Sequence, residues 1–212
     1  MFKQTLCALA LAATAATAQA GLLLQEDFNN VEALTSSGWV SSNVSASMGT
    51  TNWFQGDQNQ FQSQAGAPQA YVAANFNNAA VGGRISNWLI TPQFSTATNV
   101  LISFWARAAA DLGFSDWLAF GTSTGGSALN DFTLGAAAAV PSEVWTQYFV
   151  MIDARGADTS ARFAIQYSGD ADSSNYVGLD TLAIKSVPEP AGLLLLGAGL
   201  FGLAALRARK KA

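Results

Sequence analysis

Ala161-Arg162-Phe163-Ala164-Ile165-Gln166-Tyr167 sets Ala161, Phe163, Ile165 and Tyr167 on one face of an extended chain and Arg162, Ala164 and Gln166 on the other. Side chains of a strand alternate between faces, so this period of two predicts a half-buried β-strand and fits no helix. Val100–Arg107 repeats the pattern, with Ile102, Phe104 and Ala106 inward and Ser103, Trp105 and Arg107 outward. Working outward from these two, short apolar stretches recur about every ten residues between Gly, Asn, Asp, Ser and Pro, and none has a long helical period. They predict strands at 22–28, 39–44, 52–55, 70–75, 86–90, 100–107, 116–121, 131–134, 145–152, 161–167 and 176–184. Residues 66–68, 121–126 and 168–174 read as loops, and 29–34 as at most a short helical turn. Many short strands with turn signals between them predict an all-β sandwich. No internal repeat of fixed period is present.

The composition narrows the chemistry. The chain has 212 residues, 50% hydrophobic and 11% charged, with a net charge of −4. Its mean hydropathy is +0.22. That apolar content excludes a disordered polyelectrolyte. There is no histidine, and Cys7 is the only cysteine. Serine–histidine and cysteine–histidine nucleophiles are thereby excluded, along with the usual zinc, copper and haem sites. Between Gly21 and Val187, five bases face thirteen acids, a net of −8. No basic stripe offers itself to a nucleic acid.

Both ends are set apart from this body. Residues 1–20 carry Lys3, an alanine- and leucine-rich run, and Ala18-Gln19-Ala20. The small residues Ala18 and Ala20 suit the pockets of a signal peptidase, so 1–20 reads as a secretory signal peptide. At the other end, Val187-Pro188-Glu189-Pro190 precedes the apolar run Ala191–Leu206, followed by Arg207, Arg209, Lys210 and Lys211. As a helix that run measures about 24 Å, short of a hydrocarbon core of about 30 Å, and the basic residues can snorkel to make up the difference. The basic cluster acts as a membrane stop and holds its end in the cytoplasm. The body, 21–186, is then exported, with 187–212 as its tail and 191–206 as a transmembrane helix.

Pro188-Glu189-Pro190, the short hydrophobic helix and the basic end together resemble the PEP-CTERM sorting signal of Gram-negative bacteria. The resemblance implies processing by an exosortase, a membrane cysteine protease, with Pro188, Glu189 and Pro190 as the recognised motif. The implied route is an inner-membrane intermediate, then the envelope, the surface or the extracellular matrix. Within the body, Ser86–Pro92, Leu101–Arg107 and Tyr176–Ile184 resemble the choice-of-anchor J domain, which is similar to cleaved-adhesin and MAM domains. This resemblance implies a jelly-roll β-sandwich, and with the sorting signal an adhesive or structural part in exopolysaccharide.

Three groups of residues are candidates for chemistry. Asp180 has apolar neighbours whichever face it takes, Leu179 and Ala183 on one and Leu182 and Ile184 on the other, and Glu26 shares a face with Leu22, Leu24 and Phe28. A buried carboxylate needs a partner, and one expectation is a structural Ca²⁺ held by Glu26 and Asp180, with Asp27, Asn29 or Asp57 as further ligands. The alternative is solvation, or pairing with Arg84, Arg107 or Arg162. A glycan offers C–H faces to aromatic rings and hydroxyls to amides and acids, so Trp53, Asp57 and Trp117 form a candidate polysaccharide site. Trp53 and Trp117 are expected to be exposed, and Trp88, Trp105 and Trp145 to lie in the core, while the alternative use of all these aromatics is core packing. Two carboxylates can hydrolyse glycosides without histidine, but no pair is marked by motif or spacing, and a non-catalytic role is expected.

Overall fold

A computed structural model describes residues 20–187. The remainder of the signal peptide, the Pro-Glu-Pro motif and the 191–206 helix lie outside the described residues. The body is built from fourteen strands: β1 (Leu22–Glu26), β2 (Val40–Asn43), β3 (Ala46–Met48), β4 (Phe54–Gln55), β5 (Val72–Asn75), β6 (Ala79–Ile90), β7 (Phe94–Ser95), β8 (Asn99–Ala108), β9 (Trp117–Ser123), β10 (Thr133–Leu134), β11 (Ala138–Ala139), β12 (Thr146–Ile152), β13 (Ser160–Asp170) and β14 (Tyr176–Val187). Only short 3-10 turns interrupt them, among them Val31–Ala33 and Thr35–Ser37 within the predicted helical turn and just beyond it. Among the described residues no helix is long and apolar enough to cross a membrane.

The strands form two sheets, both with antiparallel pairing. One runs β12-β8-β14-β5-β4, with β1 also on β14. The other runs β10-β9-β13-β6-β2, with β11, β3 and β7 as short additions. Consecutive strands repeatedly cross from one sheet to the other, as in a jelly-roll sandwich. The inner faces meet in one core that takes Ile102, Phe104 and Leu179 from the first sheet and Leu89, Phe163, Ile165 and Tyr167 from the second. Phe104 stands at the junction. It stacks on Tyr148 at 5.3 Å, meets Phe120 edge-on at 5.3 Å and lies 5.7 Å from Phe163 across the gap.

The alternation of 161–167 holds, with Ala161, Phe163, Ile165 and Tyr167 all buried. Its other face departs from the half-exposed expectation. Ala164 is buried with Trp88 and Ile90, because Leu129, Phe132 and Leu134 fold over this outer face. Strand β13 also continues to Asp170, through the first part of the predicted loop. Three strands of two or three residues, β3, β7 and β11, lack any sequence signal of their own, since runs so short carry no period.

A further departure sits in β14. Its pairing with β8 slips by one residue between Asp180 and Ala183. The extra residue is Thr181, whose φ of 47° is in the left-handed region that β-branched residues rarely enter. The bulge resets the alternation, so Leu179, Leu182 and Ile184 all face the core while Asp180 stands opposite Trp105 on the outer face. Continuous alternation in the sequence had set Leu179 and Leu182 on opposite faces.

That outer face is covered by the segment between β4 and β5. Phe61 stacks on Tyr71 at 5.1 Å and meets Tyr176 and Trp145 edge-on, while the Arg107 guanidinium lies 4.7 Å over the Phe61 ring. Gly178 permits this approach, because a Cβ there would stand 2.8 Å from Tyr71 and 2.9 Å from Phe61. Residues 20–187 contain no cysteine, so burial and hydrogen bonds stabilise the sandwich without disulfides. Phe104→Ala is expected to cost about 3–5 kcal/mol in urea unfolding. A loss under about 1 kcal/mol would mean that the inter-sheet aromatic contact is not central.

Candidate functional site

Two buried carboxylates, Asp180 and Asp116, and the half-buried Glu26 serve the backbone. Asp180, 0% exposed, accepts the N–H groups of Gln64 at 2.7 Å and Ala65 at 3.1 Å on Oδ2, and that of Thr181 at 2.6 Å on Oδ1. The Thr181 hydroxyl lies 3.2 Å from Oδ1 and 3.1 Å from the Gln64 side-chain oxygen. Asp180 thus ties the covering segment to the outer face, and Trp145 adds a bond from Nε1 to the Gln62 carbonyl at 2.9 Å. Glu26 accepts its own neighbour, the Phe28 N–H, at 2.9 Å. At the start of β14, Asp116 accepts the Tyr167 hydroxyl at 2.5 Å and the N–H groups of Asn175 at 2.9 Å and Tyr176 at 3.2 Å.

These donors do not fit the expected Ca²⁺. The first and last strands are neighbours as expected, with Glu26 opposite Leu182. The amides around Asp180, however, point their positive ends to where a cation would have to sit, and they occupy the lone pairs that it would need. Among the described residues no group of three or more acids could hold a metal. Asp27 receives only the Gln25 amide, and Asp57 closes a local turn by accepting the Asn59 N–H at 2.8 Å. Nor does an arginine neutralise Asp180: Arg107 lies over Phe61, and Arg162 donates to the Thr91 carbonyl at 2.8 Å.

The three expected glycan residues are not brought together. Trp53 is a correction: it is 8% exposed and belongs to the core between the sheets, at the back of a cleft of about 430 Å³ between the end strands β2 and β4. Its indole N–H has no partner, and Trp39 packs in the same core. Trp105 and Trp145 are half-buried on the outer face of the first sheet, and of the three expected core tryptophans only Trp88 is buried, under the outer cover of the second sheet. Asn43, in an N-glycosylation sequon, donates its side-chain amide to Thr51 and Asn78 carbonyls.

Trp117 is the exception. It is 40% exposed at the first position of β9, its Nε1 donating to the Ser115 hydroxyl at 3.2 Å. Register sets Trp117 opposite Ser168, and Asp170 opposite Arg84, on the second sheet. Arg84 and Asp170 form an exposed ion pair at 2.8 Å, the only one among the described residues. Together Trp117, Arg84, Ser168, Asp170 and Ser173 line an open cavity of about 350 Å³. An aromatic ring, a guanidinium, a carboxylate and hydroxyls sharing one wall suit a ligand that has both an apolar face and hydroxyls. The sequence concealed Arg84 and Asp170 because they lie in separate strands and only the register joins them.

Residues 186–210 match the PEP-CTERM protein-sorting motif. This span includes Pro188, Glu189, Pro190, Arg207, Arg209 and Lys210; like Ala18 and Lys211, they lie outside the described residues, whereas Ala20 is exposed at their border. The chain therefore carries the signal of an exported protein sorted by an exosortase. A search of curated proteins finds no match. Among solved structures, the K1 cleaved adhesin domain of Lys-gingipain from Porphyromonas gingivalis W83 shares 22% identity over 79% of this chain and 100% of its own, with a TM-score of 0.60. The K3 domain of the same protein gives 20%, 80%, 100% and 0.58. The CBM22-1–GH10 modules of Clostridium thermocellum xylanase 10B, complexed with xylohexaose, give 11% identity, 78% of this chain, 29% of that chain and a TM-score of 0.50. At these identities the likeness is one of fold.

Burial holds Glu26 above its ordinary 4.5 and Asp116 and Asp180 above 3.8, against the opposing pull of their amide hydrogen bonds. Such a group binds its proton more tightly folded than unfolded. Its contribution is complete below the unfolded pKa and is lost as pH rises through the folded one. Urea stability is therefore expected to fall from about pH 4 towards neutrality, and Asp116→Asn should flatten that slope. A slope of opposite sign would contradict the assignment.

Proposed function

We propose that the body is a non-catalytic choice-of-anchor J-type module that holds the exported protein in extracellular polysaccharide by contacting glycan through the Trp117 face. The observation that carries this reading is the exposed Trp117 ring beside the Arg84–Asp170 pair in an open cavity. A pyranose C–H face stacks on the indole, while the guanidinium donates to ring hydroxyls and the carboxylate accepts from them. None of the three embedded acids lines this cavity, whose one carboxylate, Asp170, is held by Arg84. That arrangement supports binding without turnover, since glycoside hydrolysis needs two acids flanking the bond. The net −8 of the body favours neutral over acidic glycans.

The position of the cavity suits display. Ser115 N–H bonds to the Ser173 carbonyl, and Asp116 to the amides of Asn175 and Tyr176, so Trp117 lies beside the first residue of β14. The tail leaves from the last residue, Val187, beyond a strand of about 40 Å. In this reading the signal peptide ends at Ala20, the body spans 21–186, and the 191–206 helix holds it at the inner membrane until exosortase cuts near Pro188.

Two measurements test the proposal. Trp117→Ala in the full chain is expected to weaken binding to polysaccharide extracted from the host matrix by about tenfold or more, with an unchanged melting temperature. Equal binding by the variant would overturn the site. Intact mass of protein recovered from the medium is expected to show a form starting at Gly21 and ending near Pro188. In a host without the exosortase that form should vanish; its persistence would contradict the sorting route.

A further inference from the structure

We infer that the free edge of β12 pairs with β12 of a second copy of this chain, antiparallel about a two-fold axis. The inference is independent of the Trp117 site. The sheet paths end in β12, β4, β10 and β2, and the last three are only two, two and four residues long. Short end strands blunt the row of unpaired N–H and C=O groups that invites another chain. β12 has seven residues, Thr-Gln-Tyr-Phe-Val-Met-Ile, with no charge, proline or glycine. It pairs with β8 from Thr146 to Ile152 without a bulge and has no other strand partner. Phe149 and Met151 project from it 59% and 57% exposed.

The flanking charges select the occupant. Glu143 precedes β12 and Arg155 follows it, both exposed. Arg155 has no carboxylate partner among the described residues, only a 3.4 Å contact from Nη1 to the Ser123 carbonyl. Glu143 and Arg155 are equidistant from Phe149. In an antiparallel two-fold pair with Phe149 on the axis, Gln147 faces Met151, and the end of one strand that follows Glu143 comes to the end of the other that precedes Arg155. The strand is thus complementary to itself in charge as well as in backbone, as a two-fold interface requires. A parallel pair in register would set Glu143 against Glu143.

The symmetry has a consequence for display. Rotation about the sheet normal reverses every strand, so Val187 of the two copies points in opposite directions.

The test is disulfide cross-linking of the full chain in its host. Opposed strand residues have Cα atoms about 4.5–5.5 Å apart, within the span of a disulfide. Phe149→Cys, oxidised in intact cells and run without reductant, is expected to give a band of twice the chain mass. The unaltered chain, whose one cysteine is Cys7, and Phe114→Cys in the distal loop should give none. Glu143→Arg or Arg155→Glu added to Phe149→Cys should each cut the yield about tenfold, and the two together should restore it. Mixed cells carrying Gln147→Cys and Met151→Cys repeat the test at a second register position should Phe149→Cys not fold. Failure of both cross-links in folded protein, a band of another mass, or a charge swap that does not restore the yield would overturn the pairing.

Discussion

The contact of Phe104 with Tyr148, Phe120 and Phe163 joins the two sheets of a body that contains no disulfide. These rings come from β8, β12, β9 and β13, two strands from each sheet, so their packing fixes how far apart the sheets stand and which residues are left outside. The exposed row of β12 and the Trp117 cavity are both consequences. Alternate residues of the strands that supply the core, Met151 beside Val150 or Trp117 beside Leu118, must face outward.

The outer faces are settled by a different device. Buried carboxylates gather backbone N–H groups of the connections: Asp180 takes those of Gln64 and Ala65 on one sheet, and Asp116 takes those of Asn175 and Tyr176 at one end of the sandwich. A loop laid over a sheet has no ladder to satisfy its amides, and an acid projecting from a strand supplies the acceptors that water would otherwise provide. This is why these acids turn to backbone amides and stand apart from the cavity that faces solvent. The same acids bring a pH-dependent cost to folding, because burial opposes their charge.

The sequence revealed periodic features and concealed those that depend on partners. Ala161, Phe163, Ile165 and Tyr167 announced their buried face because alternation is local, whereas of the two tryptophans expected at the surface only Trp117 lies there. Thr181 broke the alternation at a bulge that no residue type marks, and Asp180 consequently changed neighbours. Ala164 and Trp53 looked surface-bound, but residues 129–134 cover the first and the second packs into the core between the sheets. Arg84 and Asp170 are far apart in the chain, and only the pairing of β6 with β13 makes them a unit. The sorting motif was legible because its parts are contiguous.

The sandwich thus keeps these features apart: the Trp117 cavity lies beside the first residue of β14, Val187 is its last, and β12 is a side edge. Hydroxyl-radical footprinting of the full chain, with and without polysaccharide extracted from the host matrix, tests the placement of the glycan contact most directly. Protection is predicted at Trp117, with none gained in the cleft at Trp53 and Phe54. Protection confined to that cleft, or none at Trp117, would contradict it.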